Sequence, residues 1–397
     1  SLPLGLAAGF LGMLGDSLTS FFKRRFRFLE GADVPVIDQL LEGGLPIAIF
    51  ASSYQLSIIE CGVLLAVFVI LAWFASFIRK RLLTPPSADS IGLVRSTMGF
   101  RGWRSCHTAL SPVARSLNFE TVLYYRVFMK GVFRVLGVYE KGIANALELK
   151  ITRLNLDFPD LPVEFDLYRI LFISDLHIDG VEGLADRLIE AVAPLNPDLC
   201  LLGGDYRMEM YGSFFKAMQK LRQVVQAINA SDGILGILGN HDCIEIAPDL
   251  EDCGIVMLIN EAVSVRRGSQ TLSVAGVDDP HYYQCHDLEK AFRDVAPHDF
   301  SILLAHSPEI IYSINGQKID LCLCGHTHGG QICLPRIGPV FTHCHTPRRY
   351  ISGLWRYGDT VGFTSRGAGS SGLPVRFNCP PEIVMLTLNR RTDSPGA

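Results

Sequence analysis

Between residues 168 and 330 the chain repeats one local pattern five times: a short run rich in Leu, Ile, Val or Phe that ends on Asp, Asn or His. The runs are YRILFISDLH, DLCLLGGD, GILGILGNHD, FSILLAHSPE and IDLCLCGHTHGG. Apolar runs this short and continuous read as strands buried on both faces, as in a sheet covered by helices. VEGLADRLIEAVAPL, between the first two, carries helical periodicity, and the alternating ITRLNLDF upstream predicts another strand. An α/β fold follows, with the polar residues gathered where open α/β sheets build their sites, beyond the carboxyl ends of the strands.

The residues delivered there suit divalent metals. Nitrogen and oxygen donors bind metals that activate water, and two such metals roughly 3.5–4 Å apart need a carboxylate between them. Asp175 and His177, two apart in SDLH, project to one side and can grip one ion. Asp205 follows Gly203-Gly204, which allow close approach, and is the natural bridge. Asn240 in GNHD offers a carbonyl oxygen, His306 ends its strand in AHSP, and His326 and His328 in GHTH place two imidazoles together. Singly these are weak signals. In this order, each after an apolar run, they are a strong one.

The order D-x-H, GD, GNHD, H, GHTH resembles the calcineurin-like metallophosphoesterase superfamily over residues 147–388. The resemblance implies a four-layer α-β-β-α sandwich holding two divalent ions, Mn²⁺ first, with Zn²⁺ or Fe as alternatives. It implies one ion on Asp175, His177, Asp205 and His328, and the other on Asp205, Asn240, His306 and His326. Water activated between them attacks phosphorus, while His241 stabilises phosphoryl oxygens or protonates the leaving group, with Asp242 as its orienter. One departure stands out: the family's second acid in G-D-x-x-D is replaced by Met208, with Glu209 one residue later. His281, His286, His298, His343 and His345 match no family ligand position and are expected outside the metal site.

The N-terminal region has a different texture. CGVLLAVFVILAWFASFI, Cys61 to Ile78, is an uncharged stretch of 18 residues, roughly 27 Å as a helix and close to the bilayer core. It reads as a transmembrane helix over 56–78; the alternative is a helix buried inside a large domain. Arg79-Lys80-Arg81 follow at once, and basic flanks stay cytoplasmic, so a single-pass protein of the bacterial inner membrane with its catalytic domain on the cytoplasmic side is expected. Eleven cysteines without a pairing framework suggest reduced thiols. The opening SLPLGLAAGFLGML lacks a positive region before it, so no signal peptide is expected.

Residues 79–141 hold eleven basic and three acidic residues within a chain of net charge -4. From Leu117 to Val138, Arg126, Lys130 and Arg134 recur every four positions along one helical stripe. Two readings stay open: an amphipathic helix on an anionic membrane surface with Phe128 and Phe133 toward acyl chains, or a helix packed on the catalytic domain with a solvated stripe. The expected organisation is a segment 1–55, the span 56–78, a basic membrane-contacting region 79–146, the catalytic domain 147–390 and a tail 391–397.

SRGAGSSGLPVRFNCPPEIVMLTL and EFDLYRILFISDLH further resemble the membrane-associated bacterial branch that includes chlamydial-type UDP-2,3-diacylglucosamine pyrophosphatases of lipid A synthesis. That implies cleavage of the pyrophosphate to UMP and 2,3-diacylglucosamine 1-phosphate, with Arg366 as a substrate contact. The expected partners are a lipid-linked phosphoester or pyrophosphate and the membrane, without nucleic acid. Two alternatives are carried forward: a phosphoesterase for another lipid or a soluble ester, and a scaffold that keeps the fold without catalysis.

Overall fold

The computed structural model describes residues 7, 9–15, 19, 35–51, 54–83, 125, 127–210 and 212–391. The chain divides into two units, 1–86 and 87–397.

In the first unit a helix spans Pro35–Ala51 and a second spans Ile58–Leu83. The second starts at a capping box. Ser57 N–H donates to Glu60 Oε2 at 2.7 Å and Glu60 N–H donates back to Ser57 Oγ at 3.3 Å, satisfying two donors that the first turn leaves open. Gly43 of the first helix packs so closely on the Phe68 ring of the second that a Cβ there would enter the ring. Side chains of Ile58–Leu83 are described as far as Phe74, so the expected span from Cys61 to Ile78 is covered only in part. Among the described residues no helix is long and apolar enough to cross a membrane.

The second unit is built on two six-stranded sheets. The strands are β1 (Lys150–Phe158), β2 (Tyr168–Ile173), β3 (Leu199–Leu202), β4 (Ile234–Gly236), β5 (Val256–Met257), β6 (Glu261–Arg267) and β7 (Gln270–Gly276). They continue with β8 (Phe300–Leu304), β9 (Leu321–Cys324), β10 (Cys333–Leu334), β11 (Gly338–Pro339), β12 (Gly353–Tyr357), β13 (Thr360–Thr364) and β14 (Glu382–Arg390). One sheet has the order β1-β14-β2-β3-β4-β5 and the other β12-β13-β9-β8-β7-β6, with β10 and β11 a separate hairpin. β2, β3 and β4 run parallel, as do β8 and β9.

Alternation along each strand explains the layers. Phe172, Leu201 and Leu386 of the first sheet meet Val274, Ile302 and Leu323 of the second in one buried cluster. The opposite faces go to helices: Leu171, Ile173 and Cys200 pack with Leu184, Leu188 and Leu221, while Leu303 and Cys322 pack with Leu288, Ile310 and Ile311. The result is helices outside two facing sheets, the α/β arrangement expected. Because both sheets carry parallel neighbours, their carboxyl ends can converge on one edge.

Of the basic stripe, Arg126 and residues 117–124 lie outside the described residues. Tyr125, Met129 and Phe133 pack toward the domain beside Tyr139, Leu373 and Val375, with the Phe133 and Phe377 rings 5.7 Å apart. Phe133 therefore packs on the domain and does not face outward, because i, i+4, i+8 spacing puts it on the same face as Tyr125. Lys130 and Arg134 lie over the Tyr139 ring at 5.5 and 5.3 Å. Val127, Val135 and Leu136 remain exposed.

Among the described residues nine cysteines, from Cys61 to Cys379, form no disulfide, but Cys243 is disulfide-bonded. The expectation of a wholly reduced set is corrected there, since pairing depends on where a fold brings two sulfurs and not on spacing along the chain.

Candidate metal centre

Each expected ligand follows directly on a strand of known direction. Asp175 and His177 follow β2, Asp205 follows β3, Asn240 and His241 follow β4, His306 follows β8, and His326 and His328 follow β9. All seven expected ligands are buried. Five of them, Asp175, His177, Asp205, His326 and His328, adopt positive φ between 36° and 70°. Asp and His tolerate this left-handed region better than most residues, and such conformations concentrate at functional sites.

The turn geometry forms two pockets of donors that share one carboxylate. Asp175, His177 and His328 offer atoms within 4.8 Å of one another, and so do Asp205, His306 and His326. His177 Nε2 lies 3.5 Å from Asp205 Oδ2, and His306 Nε2 lies 3.3 Å from the same oxygen. Asp205 thus stands between both groups. Asn240 Oδ1 is 3.0 Å from His306 Nε2 and 2.8 Å from His326 Nδ1.

The donors fit divalent cations. Asp175 Oδ2 is fully buried without a hydrogen-bond partner, an expensive arrangement for an anionic oxygen unless a cation answers it. His177 Nε2 and His328 Nε2 face each other at 3.2 Å, where two imidazoles gain most if a metal takes their lone pairs. Burial lowers the pKa of His326 and His328 well below the usual value and that of His177 to about 3, with the neighbouring His241 adding to the last. These imidazoles are neutral, the form that ligates. Burial opposes charge on His306 too, but Asp205 outweighs it and raises that pKa. His306 and Asp205 form a pair that shares a proton, which a bound cation would displace.

His241 stands beside the ligands, its ring 4.7 Å from His177, and its Nδ1 is held by the Met208 carbonyl at 2.5 Å. The expected orienter, Asp242, does something else. Its carboxylate accepts the N–H groups of Asp205 at 2.7 Å, Tyr206 at 3.0 Å and Gly239 at 2.9 Å, tying the GDY turn to the GNHD turn. Orientation of His241 falls to a main-chain carbonyl, so the loss of the family's acid at position 208 leaves that contact intact.

Other residues lie where the sequence did not place them. His281 packs on His326 with ring centroids 4.1 Å apart and bonds Glu309 through Nδ1 at 2.7 Å, and the His343 carbonyl is 2.8 Å from His326 Nε2. Both therefore sit at the rim. Arg366 pairs with the buried Glu382, so its guanidinium braces its own loop. Fully buried Arg376 donates to the carbonyls of Arg366, Gly367, Gly369 and Cys379, and its Nη2 is 3.2 Å from His328 Nδ1.

With this geometry established, comparisons with known proteins agree. The profile of calcineurin-like phosphoesterases matches residues 168–330. The phosphodiesterase YaeI of Escherichia coli (strain K12) is 31% identical over 231 residues, 56% of this chain and 82% of that protein. The chain is a calcineurin-like phosphoesterase. A second relative of this phosphoesterase, the uncharacterised metallophosphoesterase YkuE of Bacillus subtilis (strain 168), is 31% identical over 283 residues, 66% of this chain and 96% of that protein. A transmembrane protein with a metallophosphoesterase domain from Danio rerio is 28% identical over 276 residues, 64% of this chain and 61% of that protein. The calcineurin-like phosphoesterase is accordingly a metal-dependent hydrolase of phosphoric esters, with its metal-ligand groups intact. A scaffold that had lost catalysis would not need them.

Proposed function

We propose that the protein hydrolyses the pyrophosphate of UDP-2,3-diacylglucosamine, giving UMP and 2,3-diacylglucosamine 1-phosphate, at the bacterial inner membrane with its catalytic domain on the cytoplasmic side. The observation that carries a lipid substrate is the helix from Ile58, whose apolar side chains are exposed at Ile58, Ile59, Val63, Val67, Ile70, Leu71 and Phe74. A bilayer would cover such a surface. That the Danio rerio relative is a transmembrane protein supports the same anchoring.

In this reading Asp175, His177, Asp205 and His328 hold one divalent ion and Asp205, Asn240, His306 and His326 the other, with Mn²⁺ the first choice. Bound ions supply an activated water and charge neutralisation for the phosphoryl group. The chain's own residues do the rest. The Met208 carbonyl accepts Nδ1–H of His241, which leaves Nε2 to carry a proton to the leaving oxygen. Asp242 holds Asp205 and Asn240 at a fixed separation through their backbone turns. Arg366 serves the substrate indirectly, by bracing the loop that also carries Gly367 against Asp175.

UMP release from UDP-2,3-diacylglucosamine by the full chain with defined metals tests the substrate. Release that depends on metal and falls in His241→Ala supports it. Turnover of soluble chromogenic diesters without UMP release favours the second reading, a general phosphodiesterase, as the name of YaeI suggests.

A further inference from the structure

The hairpin of β10 and β11 grows directly out of the metal loop. His328–Gly330 precedes it, the backbone of Gly330 presses against Pro339, and the His343 carbonyl just beyond it meets His326. A segment so close to the ligands would ordinarily turn polar side chains to solvent. This one exposes Leu334, Ile337 and Phe341, with Ile337 63% exposed. Its turn is held in shape by Arg348, which donates to the Ile337 carbonyl at 3.2 Å.

The base of the hairpin pairs with Phe377: Phe377 N–H donates to Gln331, and Cys333 N–H to Phe377. The Phe377 ring in turn receives Phe133 of the helix at Lys130–Val135. Around that helix Val127, Val135 and Leu136 are exposed, Val135 at 89%. Two exposed apolar segments are thus joined through one residue. Their charge is one-sided. Residues 331–350 contain Arg336, Arg348 and Arg349 and no Asp or Glu, and residues 125–138 contain Arg126, Lys130 and Arg134 and no Asp or Glu.

We infer that the tip of this hairpin, with the neighbouring helix face, docks on an anionic lipid bilayer and so sets the metal site at the membrane surface. Large apolar side chains interleaved with cations and free of acids match the acyl boundary and anionic headgroups of such a surface. A held turn enters it without first being ordered. The inference rests on the membrane reading above and adds the element that makes contact.

The test uses the full chain in nanodiscs of phosphatidylcholine with or without phosphatidylglycerol, followed by hydrogen exchange. The non-proline amides of residues 334–341 should exchange about tenfold more slowly with the anionic lipid, the protection falling at high salt. Ile337→Asp should remove the protection and lower UMP release from vesicle-borne substrate, while a soluble diester is cleaved as before. Equal exchange in both lipids overturns the inference. So does protection that follows protein concentration without lipid, which would mean a second copy covers the hairpin. If Ile337→Asp also slows the soluble ester, exchange in the unmutated protein decides alone. Protection without any UMP release in detergent would leave docking standing and sink the proposed substrate instead.

Discussion

The backbone N–H of Asp205 donates to Oδ2 of Asp242 at 2.7 Å, and that same oxygen accepts Gly239 N–H at 2.9 Å. One buried carboxylate thereby fixes the turns that carry the shared ligand Asp205 and the amide ligand Asn240. Asp242→Asn replaces an acceptor by an NH₂ group facing at least one of these donors. We expect a loss of about 1–3 kcal/mol in stability and 10- to 100-fold in metal affinity. Calorimetric Mn²⁺ titration with thermal unfolding measures both; unchanged affinity would show that Asp242 has no part in placing the metals.

Gly239 allows that approach. A Cβ on it would collide with the Asp205 carboxylate. Gly239→Ala should therefore cost metal affinity more than stability, because Asp205 can swing away only by leaving the bridge. Gly44→Ala, where a Cβ meets nothing, should change neither activity nor metal binding. Similar losses of affinity in the two variants would refute the steric argument.

Much of this centre was legible because its information is local. An apolar run followed by Asp175, Asp205 or His306 states both a strand and what its end delivers, and strand direction does the rest. What stayed hidden depends on contacts between distant segments. The family resemblance implied Asp242 as the orienter of His241, yet the turn aims it at Asp205 and a main-chain carbonyl, invisible in side-chain identities, takes its place. His281 carried no motif, and only the packing of the loop after β7 brings it onto His326. For Phe133 two readings stayed open, toward acyl chains or against the catalytic domain, and its packing with Tyr125 and Met129 favours the second. Arg366 was expected to contact substrate, because its partner Glu382, sixteen residues away, carries no signal in the sequence.

Among the described residues no carboxylate bonds the buried guanidinium of Arg376, and burial lowers its pKa to about 10. Its cost is offset by carbonyls of the segment between β13 and β14, at Arg366, Gly367, Gly369 and Cys379. Arg376→Met leaves several of those carbonyls unpaired, at about 1–3 kcal/mol each, so the variant should be unfolded or strongly destabilised. Arg376→Lys, a point charge unable to reach them all, should fold with a lower melting temperature. A fully stable Arg376→Met protein would contradict this account.

Removal of the metals should expose the repulsions that they quench. Chelation is expected to abolish ester hydrolysis and lower the melting temperature, since ions that bind only the folded chain stabilise it by mass action. Mn²⁺ added back should restore both. Restoration should release protons, because His306 holds one against Asp205 in the metal-free chain. Hydrolysis that persists through exhaustive chelation would refute the metal assignment.

The His281–Glu309 pair gives a pH signature away from the shared carboxylate. Burial opposes charge on His281, but the hydrogen bond and charge of Glu309 prevail and raise its pKa above 6.5. Burial likewise raises Glu309, and the His281 contacts outweigh it and lower its pKa below 4.5. The histidine's contribution to stability is full below 6.5 and disappears as pH climbs through its raised folded value. The carboxylate's is full above 4.5 and disappears as pH falls through its lowered folded value. Both act together between 4.5 and 6.5. Glu309→Gln keeps an acceptor for the His345 N–H but loses the charge. Denaturant unfolding of the two proteins across pH should show the largest difference inside that window and a shrinking one on either side. A difference independent of pH would mean that the pair is held by packing and not by its charges.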